Sequence, residues 1–307
     1  MTTAGEVSRL TRRAAMLSVT VAVTLALLKV FAAIETGSVA VLGSLADSAL
    51  DIAASLVTLF GVHIAAQPAD EDHRFGHGKA EAMAALFQVV VIAVSASLIL
   101  IQAGRRFLTG GETVAAEYGI AVSAIAMVAT LGLVAYQRGV VRRTGSVAIR
   151  TDSIHYSSDL LLNGAVIAAL VLDGILGVRG ADPFFGITIA LWLLFGAWRG
   201  AQSAINQLMD REWPEEKRRR VVEVASAHPQ FRGIHDLRTR TSGMHDFVQF
   251  HLEVDAELSV RKAHDVVEDV ERALERAFPG ADVLIHLDPE GHVDQPGNTL
   301  VEERERH

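Results

Sequence analysis

Six long apolar segments fill roughly the first two thirds of the chain, and their lengths predict six membrane-spanning helices. A helix needs about 20 mainly apolar residues to cross the hydrocarbon core of a bilayer. Short stretches with glycine, proline or charged residues separate the segments, as expected for turns between helices. The predicted spans are Ala14–Ile34, Val39–Ala66, Ala80–Phe107, Ala115–Tyr136, Ser146–Leu172 and Phe184–Leu208.

Basic residues in the connections predict the orientation of these helices. Lys and Arg accumulate in the cytoplasmic connections of membrane proteins, and most of them lie on one side of a six-span arrangement. This distribution places both termini in the cytoplasm and the chain in the plasma membrane, which in a bacterium is the inner membrane. The predicted cytoplasmic side holds Arg9, Arg12, Arg13, Arg74, Lys79, Arg138, Arg142 and Arg143, against Arg105, Arg106 and Arg179 on the other.

Beyond Asp210 the pattern changes to that of a small soluble domain. Two amphipathic segments predict helices, the first opening at Pro214 and the second capped by Ser259. Three alternating segments predict strands, and the order αββαβ suits a ferredoxin-like α+β unit. The predicted organisation is therefore a cytoplasmic N-terminus (1–13), a six-helix transmembrane domain (14–208), a cytoplasmic ferredoxin-like metal-binding domain (209–290) and a disordered tail (291–307).

Two pairs of ionisable residues interrupt the apolar pattern at helical spacing. Asp47 and Asp51 lie four residues apart in the second span, and His155 and Asp159 do so in the fifth. At the bilayer centre a buried carboxylate costs about 2.5–3.5 kcal/mol on insertion scales, so such residues usually serve a function. Three carboxylates and one imidazole suit a tetrahedral Zn²⁺ site. The alternative to a metal site is that these residues form hydrogen bonds between helices.

The loop after the second span carries a second array of ligand-type residues. Asp70, His73 and His77 form a D-x-x-H-x-x-x-H pattern that can surround one metal ion. The alternative is an ordinary solvated loop. In the first span Lys29 also has two open interpretations, as a buried counter-charge or as a side chain that snorkels or makes a local hydrogen bond.

The predicted strands of the soluble domain carry a third set. In "FVQFHLEVD" the apolar residues alternate with His251, and in "DVLIHLDPE" they alternate with His286 and Asp288. These groups leave the core face of the sheet, so we expect the metal-free domain to expose them. His235 on the first strand and His264 on the second helix are candidates to join them.

Composition narrows the partners and the chemistry. The chain has no cysteine, which excludes thiolate ligands and disulfides, and its net charge of −8 argues against a nucleic-acid partner. Metal ion and membrane lipid remain as partners.

Two other functions could use the same ligands. One is a membrane-embedded metal-dependent hydrolase, which needs an open coordination position and a general base, and no H-E-x-x-H motif occurs. Another is a passive cation channel, which would carry metal without proton counterflow.

Several motifs together resemble the cation diffusion facilitator family, most closely its bacterial zinc and ferrous-iron efflux (YiiP-type) branch. They are "ADSALD", "PADEDHRFGHGKAEA", "SIHYSSDLLLNG", "GIHDLRTRTSG", "FHLEV" and "IHLDP", within roughly residues 10–290. The resemblance implies a transporter rather than an enzyme. It would exchange Zn²⁺, or Cd²⁺ or Fe²⁺, for H⁺ by alternating access. It also implies a homodimer joined through the cytoplasmic domains, with structural or regulatory Zn²⁺ bound there.

The resemblance further implies a role for each motif residue. The transport site would be Asp47, Asp51, His155 and Asp159, and the loop site would be Asp70, His73 and His77. A cytoplasmic binuclear site would comprise His235, His251, His264, His286 and Asp288. A salt bridge near the membrane surface would join Lys79 and Asp210. One local departure is "SGMHDF", which places His245 and Asp246 in the predicted turn between two strands, where they are candidates for a stray ligand.

Overall fold

The computed structural model describes residues 4–36, 39–109, 119–176 and 181–291. These residues form two compact units, the first ending at Ile205 and the second beginning at Asn206. Each unit has its own core, and each is described separately below. The predicted boundary between transmembrane and soluble domains, at residue 208, lies three residues after the end of the first unit.

The described part of the first unit is made of six long helices, of which the last ends three residues beyond the unit boundary. They are α1 (Ala4–Thr36), α2 (Val39–Ala65), α3 (Lys79–Thr109), α4 (Gly119–Thr144), α5 (Val147–Leu176) and α6 (Ala181–Leu208). Within the described residues, four stretches are long and apolar enough to cross a membrane: Gly5–Phe31, Ser48–Ala65, Lys79–Arg105 and Pro183–Leu208. The six helices follow the order of the six predicted spans, although none of these four stretches lies in α4 or α5. However, α1 begins at Ala4, so it runs through most of the segment that the sequence placed before the first span.

Small side chains let the helices of the first unit approach closely. Where α1, α2, α4 and α5 meet, the buried contacts are made by Ala14, Ala15, Val62, Val140, Ala148 and Ile149. Gly61 on α2 lies directly against α3, and a Cβ at this position would overlap the side chain of Ala84. Close packing of this kind is typical of membrane helices, because hydrocarbon lipid supplies no hydrophobic driving force between them. Outward-facing Phe31, Phe60 and Trp198 remain exposed, as expected of lipid-facing positions.

The second unit has the predicted order αββαβ. Its elements are α7 (Glu215–Ser226), β1 (Gly233–Ser242), β2 (His245–Val254), α8 (Val260–Ala277) and β3 (Ala281–Pro289). Strand β2 is central, antiparallel to β1 and parallel to β3. The predicted cap is confirmed, since the Ser259 hydroxyl accepts from the Lys262 backbone N–H at the start of α8. This mixed sheet with helices confirms the α+β prediction.

The core of the second unit lies between one face of the sheet and the two helices. Val248, Phe250, Leu252 and Val254 of β2 are all buried in it, together with Leu274 of α8. The alternation predicted for this strand is therefore confirmed, and His251 points away from the core. The prediction for the turn was wrong, because β2 already begins at His245, which pairs with Ser242. Asp246 accepts from Lys217 and Thr241, so these two side chains hold it within the local structure.

Candidate metal centres

The first candidate centre joins α2 and α5 inside the first unit, which is called the membrane unit below. Asp51, His155 and Asp159 each offer one ligand atom, and these atoms all lie within 4.8 Å of one another. His155 Nε2 lies 3.0 Å from Asp51 Oδ1. The i, i+4 spacing on α5 puts His155 and Asp159 on one face, as the sequence predicted. Asp47 lies one turn before Asp51 on α2, and its side chain lies outside the described residues.

A cavity of about 440 Å³ opens beside this cluster. Asp51, His155 and Asp159 line it, together with Lys29 and Ser48. His155 is nearly buried, whereas a quarter of the Asp51 side chain remains exposed. An ion in the cavity can therefore meet two carboxylates and an imidazole at once. An arrangement of this kind can bind a dication and, when metal-free, protons on the same groups.

A buried carboxylate that the sequence analysis missed fixes the helix that carries His155. Asp152 lies three residues before His155 and is fully buried. Its Oδ2 accepts from Ser18 of α1 at 2.6 Å and from Gln137 of α4 at 2.7 Å. Its Oδ1 accepts from Gln88 of α3 at 2.8 Å. Three helices thus donate to one side chain of α5. The sequence did contain a signal for this network, namely polar residues such as Ser18, Gln88 and Asp152 within segments that are otherwise apolar.

We expect Asp152→Ala to destabilise the membrane unit by about 3 kcal/mol, because each buried donor that loses its acceptor costs about 1–3 kcal/mol and the losses do not add fully. The measurement is the fraction of full-length protein that remains monodisperse in detergent after heating. Thr151→Ala is the matched control, because Thr151 is buried on the same helix and, among the described residues, its hydroxyl donates to the Val147 carbonyl of its own helix, one turn earlier. Equal thermal loss in both variants would contradict the bridging role of Asp152.

The second candidate centre is the loop between α2 and α3. Asp70 Oδ1 lies 3.2 Å from His73 Nδ1, and Asp70 Oδ2 lies 3.2 Å from His77 Nε2. Backbone N–H groups of Asp72 and His73 also donate to Asp70 Oδ1. The hydrogen bond from the His73 backbone is the main cause that lowers the pKa of Asp70 below its ordinary value. The structure brings together all three residues of the predicted array.

The third candidate centre is a row of histidines across the sheet of the second unit. His235 of β1 pairs with His251 of β2, and His251 pairs in turn with His286 of β3. Asp288 Oδ2 lies 2.7 Å from His251 Nδ1 and 3.3 Å from His235 Nε2. His235, His251 and Asp288 can therefore share one metal ion. A β-bulge follows His235, where Asp236 has a φ of 49°.

The side chains of this centre are less exposed than the sequence analysis predicted. His235 and Asp288 are buried, with 8% and 6% exposure, although both lie off the core face. They pack against each other and against Glu253, so the metal-free domain exposes only part of the set. His286 is mostly exposed beside Asp288. His264 pairs with Glu268 on α8, and the described chain does not bring it to this row. Its role in a binuclear site stays a prediction.

Glu253 is a second residue that the sequence analysis did not assign. Its Oε1 lies 3.4 Å from His235 Nδ1, while His235 Nε2 faces Asp288. A carboxylate behind a metal-binding imidazole orients the ring and raises its basicity. Glu253 is buried at its place on β2. The signal in the sequence was a carboxylate two residues after His251 on the same strand face.

The predicted interlocking pair falls in two different units. Lys79 is the first residue of α3 in the first unit. Asp210 follows α6 in the second unit, where it lies 3.5 Å from Arg240. The salt bridge between Lys79 and Asp210 stays a prediction.

Family comparisons agree with this division of the chain. The cation efflux transmembrane domain matches residues 15–209, and the cytoplasmic domain of cation efflux proteins matches residues 213–290. The chain belongs to the cation efflux family. A cation-efflux pump FieF from Cronobacter sakazakii is 46% identical over 281 residues, covering 92% of this chain and 93% of that protein. The FieF pump of Serratia proteamaculans is 47% identical over 283 residues, covering 92% and 94%.

A solved structure of CzrB, a proposed zinc transporter, is 37% identical and covers 26% of this chain and 99% of its own, with a TM-score of 0.25. The family assignment confirms the resemblance predicted from the motifs. It also confirms that this cation efflux protein is a membrane transporter and not an enzyme, since its relatives are pumps. The substrate is a metal cation. The matched cytoplasmic domain supports dimerisation.

Proposed function

We propose that this cation efflux protein exports Zn²⁺, or the similar ions Cd²⁺ and Fe²⁺, from the cytoplasm in exchange for protons. The observation that carries the proposal is the cluster of Asp51, His155 and Asp159 at the wall of a cavity in the membrane unit. Asp47, one turn before Asp51 on α2, is proposed as the fourth ligand. Efflux itself follows from the family, whereas the ligand chemistry supports the proposed ion and the proposed coupling.

The ligand set favours a borderline transition metal over a hard cation. Mg²⁺ and Ca²⁺ prefer all-oxygen sites, and an imidazole nitrogen suits Zn²⁺ better. Four protein ligands would complete a tetrahedron around Zn²⁺. Such a site leaves no coordination position for the activated water that a hydrolase needs.

Proton exchange follows from the same groups. A carboxylate or imidazole must lose its proton before it binds metal, so metal and protons compete for the site. If the cavity opens alternately to either side, this competition couples efflux of metal to entry of protons. We therefore assign coupling to the transport site itself, with no need for a separate proton pathway.

The remaining centres are proposed to bind metal without carrying it. Asp70, His73 and His77 would hold one ion in the loop, and the histidine row with Asp288 would hold structural or regulatory Zn²⁺. We also propose that the cytoplasmic domains join two copies into a homodimer. The distribution of basic residues supports an inner-membrane location with both termini in the cytoplasm.

The decisive experiment is transport into proteoliposomes with Zn²⁺, Cd²⁺, Fe²⁺, Mn²⁺ and Mg²⁺, each with and without a pH gradient. We expect Zn²⁺ flux that rises with an opposing proton gradient, and proton movement that depends on metal. Metal flux without proton counterflow would instead identify a passive channel and overturn the antiport proposal.

We expect His155→Asp to broaden selectivity, because it makes the site all-oxygen and therefore more acceptable to hard cations. The Zn²⁺/Mn²⁺ transport ratio should fall about tenfold, which is a difference of about 1.4 kcal/mol. The measurement is competition between the two ions in proteoliposomes. Asp72→Ala in the exposed loop is the control and should keep the wild-type ratio. An unchanged ratio in His155→Asp would remove His155 from the ligand set.

A further inference from the structure

Lys29 of α1 places a positive charge in the cavity that holds the transport ligands. It lines this cavity together with Asp51, His155 and Asp159. Its Nζ donates to Ser48 Oγ at 2.7 Å. Ser48 is buried on α2, three residues before Asp51, so the two lie on neighbouring positions of one helix face. The ammonium group is thus anchored on α2, the helix that supplies Asp51.

Charge counting shows what this lysine does to the site. The proposed ligands are three carboxylates and a neutral imidazole, so the metal-free and proton-free ligand set carries −3. Adding Lys29 brings the cavity to −2. One divalent metal then makes it neutral, and two protons on the same ligands also make it neutral. Without the lysine, both of these loaded forms would carry an uncompensated charge of −1.

Neutrality matters because the site lies in the membrane unit. An uncompensated charge in a low-dielectric interior is unfavourable even after relaxation. A loaded form with a net charge would also hold a dication more tightly, since an extra negative charge attracts it. We infer that Lys29 is the built-in counter-charge of the transport site, which weakens metal binding enough for release and leaves the metal-loaded site without net charge.

The inference rests on the proposed transport function and adds a distinct prediction to it. A lysine that only packed α1 against α2 would, when lost, weaken metal binding or leave it unchanged. If Lys29 is a counter-charge, its loss should instead strengthen metal binding, because a positive charge that repels the metal is removed. Tighter binding combined with slower transport is therefore the signature that a merely structural lysine does not produce.

The test compares Lys29→Met and Lys29→Arg in full-length protein. Both variants are made in a background with Asp70→Ala and Asp288→Ala, so that the remaining Zn²⁺ titration reports the transport site. We expect Lys29→Met to lower the Kd for Zn²⁺ about tenfold, which is about 1.4 kcal/mol, and to slow Zn²⁺ turnover in proteoliposomes by a similar factor. Lys29→Arg keeps the charge and should stay close to the background in both measurements.

The outcomes separate this inference from the proposed function. If Lys29→Met binds Zn²⁺ with unchanged or weaker affinity, or if Lys29→Arg behaves like Lys29→Met, the counter-charge role is overturned. The parent background and its Asp51→Ala derivative test the function independently. If Asp51→Ala leaves Zn²⁺ binding by that background unchanged, the assignment of the transport site is wrong. Lys29→Gln serves as a second neutral variant, and it should match Lys29→Met in affinity.

Discussion

Asp51→Ala should reduce Zn²⁺ transport at least a hundredfold, to the background of empty proteoliposomes. Asp51 lies 3.0 Å from His155 Nε2 and lines the cavity, so its loss removes a ligand and the partner that faces the imidazole. The change also removes a charge that is costly to insert in a bilayer, so insertion and folding should persist. The measurement is initial Zn²⁺ flux at equal amounts of reconstituted, monodisperse protein.

The matched control for this variant is Gln102→Ala. Gln102 lines the same cavity but does not belong to the ligand cluster. Its substitution alters the cavity wall and should leave flux within about twofold, since no charge or ligand is lost. Wild-type flux in Asp51→Ala would exclude the α2–α5 cluster as the transport site. Equal loss in both variants would indicate that cavity shape, rather than the ligand, limits transport.

The second large effect is expected in the cytoplasmic domain. Asp288 lies within 3.3 Å of both His235 and His251, so Asp288→Ala removes the group that these imidazoles share. Zn²⁺ that binds only the folded form stabilises it by about 2.7 kcal/mol at a hundredfold excess over Kd. We expect wild-type protein to gain this stability and to dimerise more tightly with Zn²⁺, and Asp288→Ala to lose both effects.

Trp213 provides the readout for this prediction in the full-length protein. It is buried in the core of the second unit, and the chain's other tryptophans are Trp192 and Trp198 of α6. A background with Trp192→Phe and Trp198→Phe makes fluorescence report unfolding of the cytoplasmic domain. Asp282→Ala, an exposed carboxylate on the same strand, is the control and should keep the zinc response. A zinc response that survives in Asp288→Ala would exclude this centre as the regulatory site.

Periodicity predicted much of this architecture because it reflects local geometry. The long apolar segments indicated the helices, and spacing of four residues put His155 and Asp159 on one face. The alternation along β2 likewise separated Phe250 and Leu252 from His251. These features depend on one element at a time. A motif that is local in the chain, such as Asp70, His73 and His77, could be predicted for the same reason.

Features that depend on two or more elements were harder to predict. The Asp152 network draws donors from α1, α3 and α4, and a glutamine in an apolar helix gives no signal of the partner it will meet. The burial of His235 and Asp288 depends on strand register and on a bulge at Asp236, neither of which follows from alternation. Glu253 was missed because its role appears only when β1 lies beside β2.

The proposed binding of zinc by the aligned histidines would also report on strand pairing. His235, His251 and His286 lie side by side only in the observed register. Because side chains alternate between faces, a slip of one residue in β2 would turn His251 into the core and expose Phe250 or Leu252. Such a chain would lose the metal centre together with its hydrophobic core. Zinc occupancy of this domain would therefore distinguish correctly paired chains from misfolded ones before the pump begins to work.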